Sequence, residues 1–454
     1  SPIRGAALSM ISRFLWKIAP LFIMAVCLLA NAGHAAVGPV AQLPTVTAGV
    51  TPSPYALPIL LVNDQNEWKD FGIQVNLKVY ASGEEQADRV VGNEWEVGVL
   101  DPFYAIKAGN EGDIAIVGVA GNLLTQLYLL SRQGTTIPPM PQARQFLQGK
   151  EILTPGPSAE NFFLSRLLGI PNLPPLTTLS TAGTEPVESF LKGKGEFALL
   201  RSPQALLAAK QGLQVWPDLR KQEAFLPVCL VASAVYADTR KTLVIRWLEG
   251  YARGTRILKK NPAKAASRLK EFYGETLKIE IPQRLLEMEI AEAFFSEKEQ
   301  EEAFKHSGSE GSAVERFAHL LSDYQVRAKV LKAKKDPGEY ILDKMCEQLA
   351  SLRREAETQF HQTQMAIDQA EKEGMQVQRF RLHLEEARGQ MEEGRGCLTV
   401  IGTLSNLMRS AEQAKVEAQR FKKFRLVELG VGGVLAAYYA GYFARRRSRA
   451  KSKV

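Results

Sequence analysis

The sequence has few of the residues that build catalytic and metal sites. Histidine occurs five times and cysteine four times in 454 residues, and no histidine lies at metal-ligand spacing from a second histidine or cysteine. A phosphate-cradling glycine loop of the P-loop type is also missing. We therefore expect no metal ion, no cofactor, no nucleotide hydrolysis and no catalytic constellation, so the chain is predicted not to be an enzyme.

The cysteine content and the charge distribution exclude two further classes of protein. Four cysteines are too few for a disulfide scaffold, and removal of a signal segment leaves an odd number of them, Cys229, Cys346 and Cys397. The formal net charge of +8 is concentrated at the two ends of the chain. We therefore expect no nucleic-acid-binding surface.

Residues 1–36 have the features of a secretory signal peptide. Arg13 and Lys17 precede an apolar run, Ile18–Ala30, and the small residues that follow allow cleavage before Ala36. The alternative is an uncleaved membrane anchor, although the run is shorter than the roughly 20 apolar residues that a spanning helix needs. In either case the pattern predicts export of the chain.

A second apolar segment, residues 426–444, is predicted to be a transmembrane helix, and residues 445–454 are predicted to be its basic cytoplasmic tail. Because basic residues stay on the cytoplasmic side, the rest of the chain would lie at the periplasmic face of the inner membrane. Gly433, Ala437 and Gly441 recur every four residues, as in a helix-packing face. Alternatively, these small residues only reflect a weakly hydrophobic anchor.

Residues 40–335 are predicted to form one two-lobed domain. From Thr45 to about Phe272 the chain alternates short apolar runs with helical stretches, which is typical of an α/β fold. The length suits two lobes, the first of about 40–131 and 228–335 and the second of about 132–227, with a crossing at Gly134–Pro141. The predicted strands are Thr45–Val50, Ile73–Tyr80, Val97–Leu100, Ile114–Val119, Leu127–Ser131, Glu151–Leu153, Thr177–Ser180, Phe197–Leu200 and Val228–Ala234. The predicted helices include Glu84–Val91, Pro102–Ala108, Ala159–Leu168, Pro186–Leu191 and Gln204–Lys210.

Polar residues follow several of the predicted strands. Open α/β sheets bind ligands beyond the carboxyl ends of their strands, so we expect these residues to surround a ligand cleft. The candidate ligand-binding residues are Thr51, Ser53, Asp101, Asn122, Ser158 and Arg201, with Tyr55 as part of an aromatic wall.

Three of these candidates have a second interpretation. Ser158 either contacts the ligand or only caps the helix that follows it. Asp101 either favours a cationic or hydrogen-bond-donating ligand or caps the helix from Pro102. Arg201 either binds an anionic group or neutralises a neighbour such as Glu185 or Glu188.

Several blocks of this region carry a family resemblance. They are Thr51–Tyr55, Trp68–Val75, Gly92–Val99, Gly149–Ser158 and Phe190–Ala198. In order and spacing they resemble the nitrate/taurine/sulfonate/thiamine-precursor branch of the periplasmic solute-binding proteins, over roughly half of the chain, with Glu96 where that family usually has aspartate. The resemblance implies a two-lobed, type II periplasmic-binding-protein fold that binds a small molecule and passes it to an import permease.

Residues 336–425 are predicted to form a helical stalk. Apolar residues recur at alternating spacings of three and four, as in a coiled coil. A continuous helix to Glu393 would be roughly 80 Å long and could also pair with a second copy of the chain. We favour a hairpin that folds at Glu371–Gly374, which would bring Cys346 opposite Cys397 and suggests a disulfide between them.

These features together predict a membrane-tethered, extracytoplasmic solute-binding protein. It would capture a small polar or anionic molecule for an ABC-type importer, with the cytoplasmic membrane and a permease as partners. The alternative is a ligand-sensing or scaffold subunit of a membrane signalling or structural complex that uses a binding-protein fold. The sequence does not identify the ligand.

Overall fold

The computed structural model of the protein describes residues 42–132, 134–135, 138, 142–169, 185–216, 224–308, 311–394, 396–420 and 436. The chain divides into two compact units, Ser1–Leu43 and Pro44–Val454, and every element below belongs to the second unit. The predicted signal peptide, the basic tail, the strand Thr177–Ser180 and the residues Gly433, Ala437 and Gly441 lie outside the described residues. The predicted anchor 426–444 also lies outside them, apart from residue 436.

Within the described part of the chain, none of the helices combines the length and the apolar character that crossing a membrane requires.

The first lobe is built on a mixed sheet. Its strands are β1 Thr45–Val50, β2 Gln74–Val79, β3 Val97–Leu100, β4 Ile114–Asn122 and β9 Pro227–Ser233, in the order β2-β1-β3-β9-β4. β1 runs parallel to β2 and β3, whereas β9 returns antiparallel between β3 and β4. Every residue of β3 and β9 is buried, which matches their unbroken apolar runs in the sequence.

The second lobe is built on a smaller sheet. Its strands are β5 Leu127–Ser131, β6 Ile152–Leu153, β7 Phe197–Arg201 and β8 Gln214–Trp216, in the order β6-β7-β5-β8. The chain enters this lobe through the 3-10 turn Leu123–Gln126 and leaves it through residues 224–226. The first crossing thus precedes the predicted one at Gly134–Pro141, because β5 already pairs with β7 in the second sheet.

Helices surround both sheets. In the first lobe they are α1 Leu57–Asp64, α2 Gly83–Val90, α3 Pro102–Glu111, α8 Ala234–Thr239, α9 Lys241–Lys260, α10 Pro262–Leu277, α11 Gln283–Ala293, α12 Glu297–Phe304 and α13 Ala313–Arg327. In the second lobe they are α4 Gln142–Leu147, α5 Ala159–Leu168, α6 Glu185–Leu191 and α7 Gln204–Lys210.

Helix α13 contacts both lobes. Its Tyr324 ring lies 5.5 Å from the Phe162 ring of α5 between centroids, and the Tyr324 hydroxyl donates to Asn161 Oδ1 at 2.6 Å. On the other side, Gln325 Nε2 donates to the backbone oxygen of Phe103 in α3 at 2.6 Å. These buried contacts tie the lobes together at a place separate from the two chain crossings.

The core of the first lobe continues past the predicted boundary at residue 335. Ile341 forms an isolated parallel bridge with Ile116 of β4, and Leu342 N donates to the Ile116 carbonyl at 2.8 Å. Tyr340 and Met345 are buried in the same core as the sheet. The first lobe therefore includes the chain up to the beginning of the next helix.

The remaining described residues form a helical region with its own core. It contains α14 Asp343–Lys372, α15 Gln378–Glu392 and a third helix, α16, over residues 397–420. The chain reverses after Lys372 through Gly374, whose φ of 84° lies in the left-handed range that glycine tolerates. Of the two predicted arrangements, the structure has the hairpin, and the continuous rod does not form. The buried core of this region comprises Phe360, Ile367, Ala370, Val377, Leu384, Ala387, Val400, Leu404, Leu407 and Ala411.

The predicted disulfide between Cys346 and Cys397 is not formed, and both residues are free thiols. Cys346 packs against β4, where its Sγ lies 3.5 Å from the Val117 carbonyl oxygen. Cys397 begins α16, and its backbone nitrogen donates to Glu249 of α9 at 2.6 Å. The prediction assumed one hairpin with two equal arms, whereas the second arm is broken into α15 and α16.

Candidate functional site

A cleft with a volume of about 130 Å³ lies between the two lobes. Six of the predicted ligand-binding residues line it, namely Thr51, Ser53, Tyr55, Asp101, Ser158 and Arg201. They come together because the carboxyl ends of β1, β3 and β7 meet here with the amino ends of α3 and α5. Lining residues that the sequence did not single out include Ser82, Gln126, Glu160 and Gln204.

The seventh predicted residue, Asn122, does not line the cleft and instead joins the two crossing segments. Its Oδ1 accepts hydrogen bonds from the backbone nitrogens of Leu124 at 3.2 Å and Leu226 at 3.1 Å. Its Nδ2 donates to the Ala224 carbonyl at 2.7 Å. Asn122 is therefore a hinge residue, which explains why a buried strand ends in a polar side chain.

Tyr55 forms part of the cleft wall but belongs mainly to the core. It is 1 % exposed, its hydroxyl donates to the Asn122 carbonyl at 2.9 Å, and its ring meets Phe294 edge-on at 5.3 Å. Burial raises the pKa of the Tyr55 hydroxyl well above its ordinary value. The residue is thus a neutral hydrogen-bond donor that connects the wall of the cleft with the hinge.

On the first lobe, Asp101 caps α3. Its Oδ1 accepts from the backbone nitrogen of Phe103 at 2.7 Å, and Pro102 occupies the first helical position, where its missing N–H costs nothing. The capping interpretation of Asp101 is therefore confirmed. The second carboxylate oxygen, Oδ2, points across the cleft and pairs with Arg201 of the second lobe.

On the second lobe, Ser158 caps α5. Its hydroxyl oxygen accepts from the backbone nitrogen of Asn161 at 3.2 Å and donates to the Pro155 carbonyl at 3.2 Å. The residue is 2 % exposed. The capping interpretation of Ser158 is therefore also confirmed, and both bonds of the hydroxyl are used inside the protein.

Arg201 is held between two carboxylates. Its guanidinium pairs with Asp101 of the first lobe and with Glu160 in the first turn of α5. Glu188, one of the neighbours that the sequence suggested, instead pairs with Lys192 at 3.7 Å. Of the two interpretations of Arg201, the structure shows pairing with neighbouring carboxylates, and these are Asp101 and Glu160.

Arg201, Asp101 and Glu160 form a charged triad, in which neighbouring charges shift the pKa values of all three groups. Burial opposes ionisation of Glu160, but the charge and the hydrogen bond of Arg201 outweigh it and lower the pKa of Glu160. Burial raises the pKa of Asp101, against the effect of Arg201. The two carboxylates in turn raise the pKa of Arg201, which stays charged.

Glu160 has one oxygen without a partner. Its side chain is 1 % exposed, and its Oε2 accepts no hydrogen bond from the described residues. A buried carboxylate oxygen without a donor is unfavourable. Glu160 Oε2 therefore requires a hydrogen-bond donor, and Gln126 Nε2, a second unpartnered atom of the lining, requires an acceptor.

A second contact between the lobes lies beside the triad. The Ser202 hydroxyl donates to Glu289 Oε2 of α11 at 2.8 Å, and its backbone nitrogen donates to the Gln126 carbonyl at 3.0 Å. Together with the pair of Arg201 and Asp101, these bonds hold the lobes close to each other across the cleft.

A larger cavity of about 380 Å³ lies between the first lobe and the helical region. Arg256 and Arg353, which line it, both pair with Glu297. Glu249 is 4 % exposed, and burial raises its pKa. The side chains of this cavity mostly pair with each other or with the backbone of the helical region, so we interpret it as the joint that holds that region on the lobe.

No protein-family model matches the chain. No curated protein sequence matches it either.

Solved structures share the fold at low sequence identity. The alkanesulfonate-binding protein SsuA from Xanthomonas axonopodis pv. citri, bound to MOPS, superposes with a TM-score of 0.52 and 13% identity, over 67% of this chain and 99% of that chain. The periplasmic aliphatic sulphonate binding protein SsuA from Escherichia coli has a TM-score of 0.54 and 14% identity, with the same coverage of 67% and 99%. The predicted α/β periplasmic-binding-protein-like fold is thereby confirmed.

Proposed function

We propose that this chain is an extracytoplasmic solute-binding protein that captures a small polar molecule between its lobes for an ABC-type importer. The observation that carries the proposal is the cleft itself, in which strand ends and helix starts of two lobes meet over a two-segment hinge. Such a site encloses a small ligand when the lobes close. The structures that share the fold are named as binding proteins for sulfonates, which supports the same class of function.

The proposal is tested by ligand-induced stabilisation of the full-length chain. A ligand present at 100 times its dissociation constant adds about 2.7 kcal/mol to the free energy of unfolding, which a thermal melt detects. A library of small polar solutes should contain compounds that raise the melting temperature and bind in calorimetry. A library in which nothing stabilises the chain would contradict the proposal.

A variant that fills the cleft tests whether the ligand binds there. Ser53 lines the cleft, is half-buried and caps nothing with its side chain, so Ser53→Trp should fill the space and abolish ligand stabilisation. Ser351→Trp is the matched control, because Ser351 is exposed on α14. Retained ligand stabilisation in Ser53→Trp would place binding outside the cleft.

The proposed tether rests on the sequence of residues 426–444. A chain anchored through this segment should resist extraction from membranes by alkaline carbonate, whereas a variant that ends at residue 420 should be released. Release of both chains would contradict the tether and leave solute binding as a separate question.

A ligand-sensing or scaffold role is the second candidate. It is favoured by the contacts of α13 with both lobes and by the helical region attached to the first lobe, which would be available to a membrane complex or to a second copy of the chain. Lobes that stay closed without ligand, measured by small-angle scattering with and without a stabilising solute, would support this role over transport.

A further inference from the structure

Three groups around the cleft have the chemistry that attracts anions. They are the guanidinium of Arg201 and the amino ends of α3 and α5, each of which is a helix of ten residues. Free backbone N–H groups and the helix dipole favour negative charge at such ends, and arginine binds carboxylates and sulfonates through paired hydrogen bonds.

Side chains of the protein itself already engage all three groups. Asp101 caps α3 and pairs with Arg201. Glu160 lies in the first turn of α5 and pairs with the same guanidinium, while Ser158 caps that helix. An incoming anion would therefore compete with protein side chains at each of the three groups.

The charge of the cleft is negative when both carboxylates are ionised. Among the described residues that line it, Arg201 is the one cation, and Asp101 and Glu160 are the two anions. Protonation of Asp101 would bring the charge to zero but would leave Arg201 paired with Glu160. In neither state does the cleft offer an anion a counter-charge.

Two buried polar atoms of the lining have no hydrogen-bond partner among the described residues: Glu160 Oε2 lacks a donor, and Gln126 Nε2 lacks an acceptor. The aromatic ring of Tyr104 forms part of the same wall. Aromatic faces attract cations, and hydroxyl groups such as that of Ser53 accept hydrogen bonds. The volume of about 130 Å³ suits a group of a few heavy atoms.

We infer that the cleft binds a small organic cation, an alkylammonium or an amidinium group, whose N–H donors engage the carboxylates of Glu160 and Asp101. This inference rests on the proposed solute-binding function and gives the class of ligand. The inferred ligand class differs from the sulfonates in the names of the solved structures that share the fold, because in this cleft two carboxylates pair with the arginine.

The inference is tested with probes of similar size and different charge. Ethylammonium and methylguanidinium chloride, the sodium salts of ethanesulfonate and nitrate, and neutral propanamide are titrated into the full-length chain at one ionic strength. At least one cation should bind, and at least tenfold more tightly than either anion. Equal or tighter binding of an anion, or binding of propanamide alone, overturns the inference but leaves the proposed function intact. No binding by any probe counts against both.

Charge variants give an independent test. Asp101→Asn combined with Glu160→Gln leaves Arg201 as the unpaired charge, so the preference should reverse and ethanesulfonate should bind at least tenfold more tightly than ethylammonium. Glu111→Gln, an exposed position paired with Lys107, should keep the wild-type order.

Glu160→Gln alone covers the case in which the double variant does not fold. It should weaken the binding of the cation about tenfold while its circular dichroism spectrum stays native. Wild-type affinity for the cation in this variant would overturn the inference.

Discussion

Replacing Arg201 by alanine should destabilise the protein even when no ligand is present. The side chains of Asp101 and Glu160 are 8% and 1% exposed, and Arg201 is the charge that compensates both. Its removal leaves two buried carboxylates in the cleft without a compensating charge. Removal of one partner from a buried ion pair is costly because the remaining charge stays buried without compensation.

The expected loss of unfolding free energy follows from the burial of the two carboxylates. Breaking a buried pair costs about 3–5 kcal/mol, and we expect the lower end, about 3 kcal/mol, because Arg201 itself is 28% exposed and water can partly replace it. At about 2 °C per kcal/mol for a domain of this size, the melting temperature should fall by about 6 °C.

The loss should depend on pH in a defined direction. Arg201 lowers the pKa of Glu160 in the folded protein, so the stabilisation is present above the ordinary pKa of glutamate and disappears as the pH falls through the folded value. Without Arg201, burial alone would raise that pKa, and ionised Glu160 would then destabilise the fold. The difference between wild type and variant should therefore be small in acid and largest near neutral pH.

Thermal melts of wild type and Arg201→Ala between pH 4 and pH 8 measure this effect. Arg354→Ala on the exposed side of α14 is the matched control and should melt like wild type. Adding Glu160→Gln to Arg201→Ala should restore part of the stability, because it removes a buried charge. An unchanged melt in Arg201→Ala at neutral pH would refute the reasoning and would mean that the triad is open to solvent.

Three further predictions concern other parts of the molecule. Tyr324→Phe removes the buried bond to Asn161 and should cost about 1–2 kcal/mol in a denaturant melt; no loss would mean that this hydrogen bond does not contribute to the joining of the lobes. Because burial raises the pKa of Glu249, the contribution of this residue to the stability should fall as the pH rises past about 4.3, so the stability of Glu249→Gln relative to wild type should rise over that range; parallel pH profiles would contradict it. A fragment that ends before Tyr340 should be less stable than one that includes Ile341 and the first turns of α14, because both residues are buried in the lobe core; equal melts would contradict that boundary.

Local sequence patterns were sufficient to predict the bounds of several strands and helices. β1, β3, β5, α5 and α7 begin and end at the predicted residues, because apolar runs, caps and breakers act within a few residues of each boundary. The prediction omitted β8, a strand of three residues, of which Trp216 is buried and Gln214 is exposed. A strand so short has no periodicity to detect, and its pairing with β5 is a tertiary event.

The residues of the candidate site could be predicted from the sequence where the order of strands and helices places them at strand ends. Strand ends of an α/β fold converge wherever the sheet forms, so Thr51, Ser53 and Arg201 could be assigned to one cleft before their contacts were known. Asn122 followed the same rule and yet serves the hinge. Glu160 was not singled out, because an acidic residue in the first turn of a helix ordinarily only complements the helix dipole.

The sequence by itself determined that Arg201 follows a strand at the ligand-binding edge and that it either binds an anion or neutralises a neighbour. Which of these holds depends on residues far away in the chain, since Asp101 is 100 positions and Glu160 is 41 positions distant. Asp101 reaches the guanidinium because the two lobes face each other, and Glu160 does so because α5 begins beside the end of β7. Electrostatic pairing acts over a few ångströms of space, so the folded arrangement of the lobes alone decided that the cleft carries its own anions.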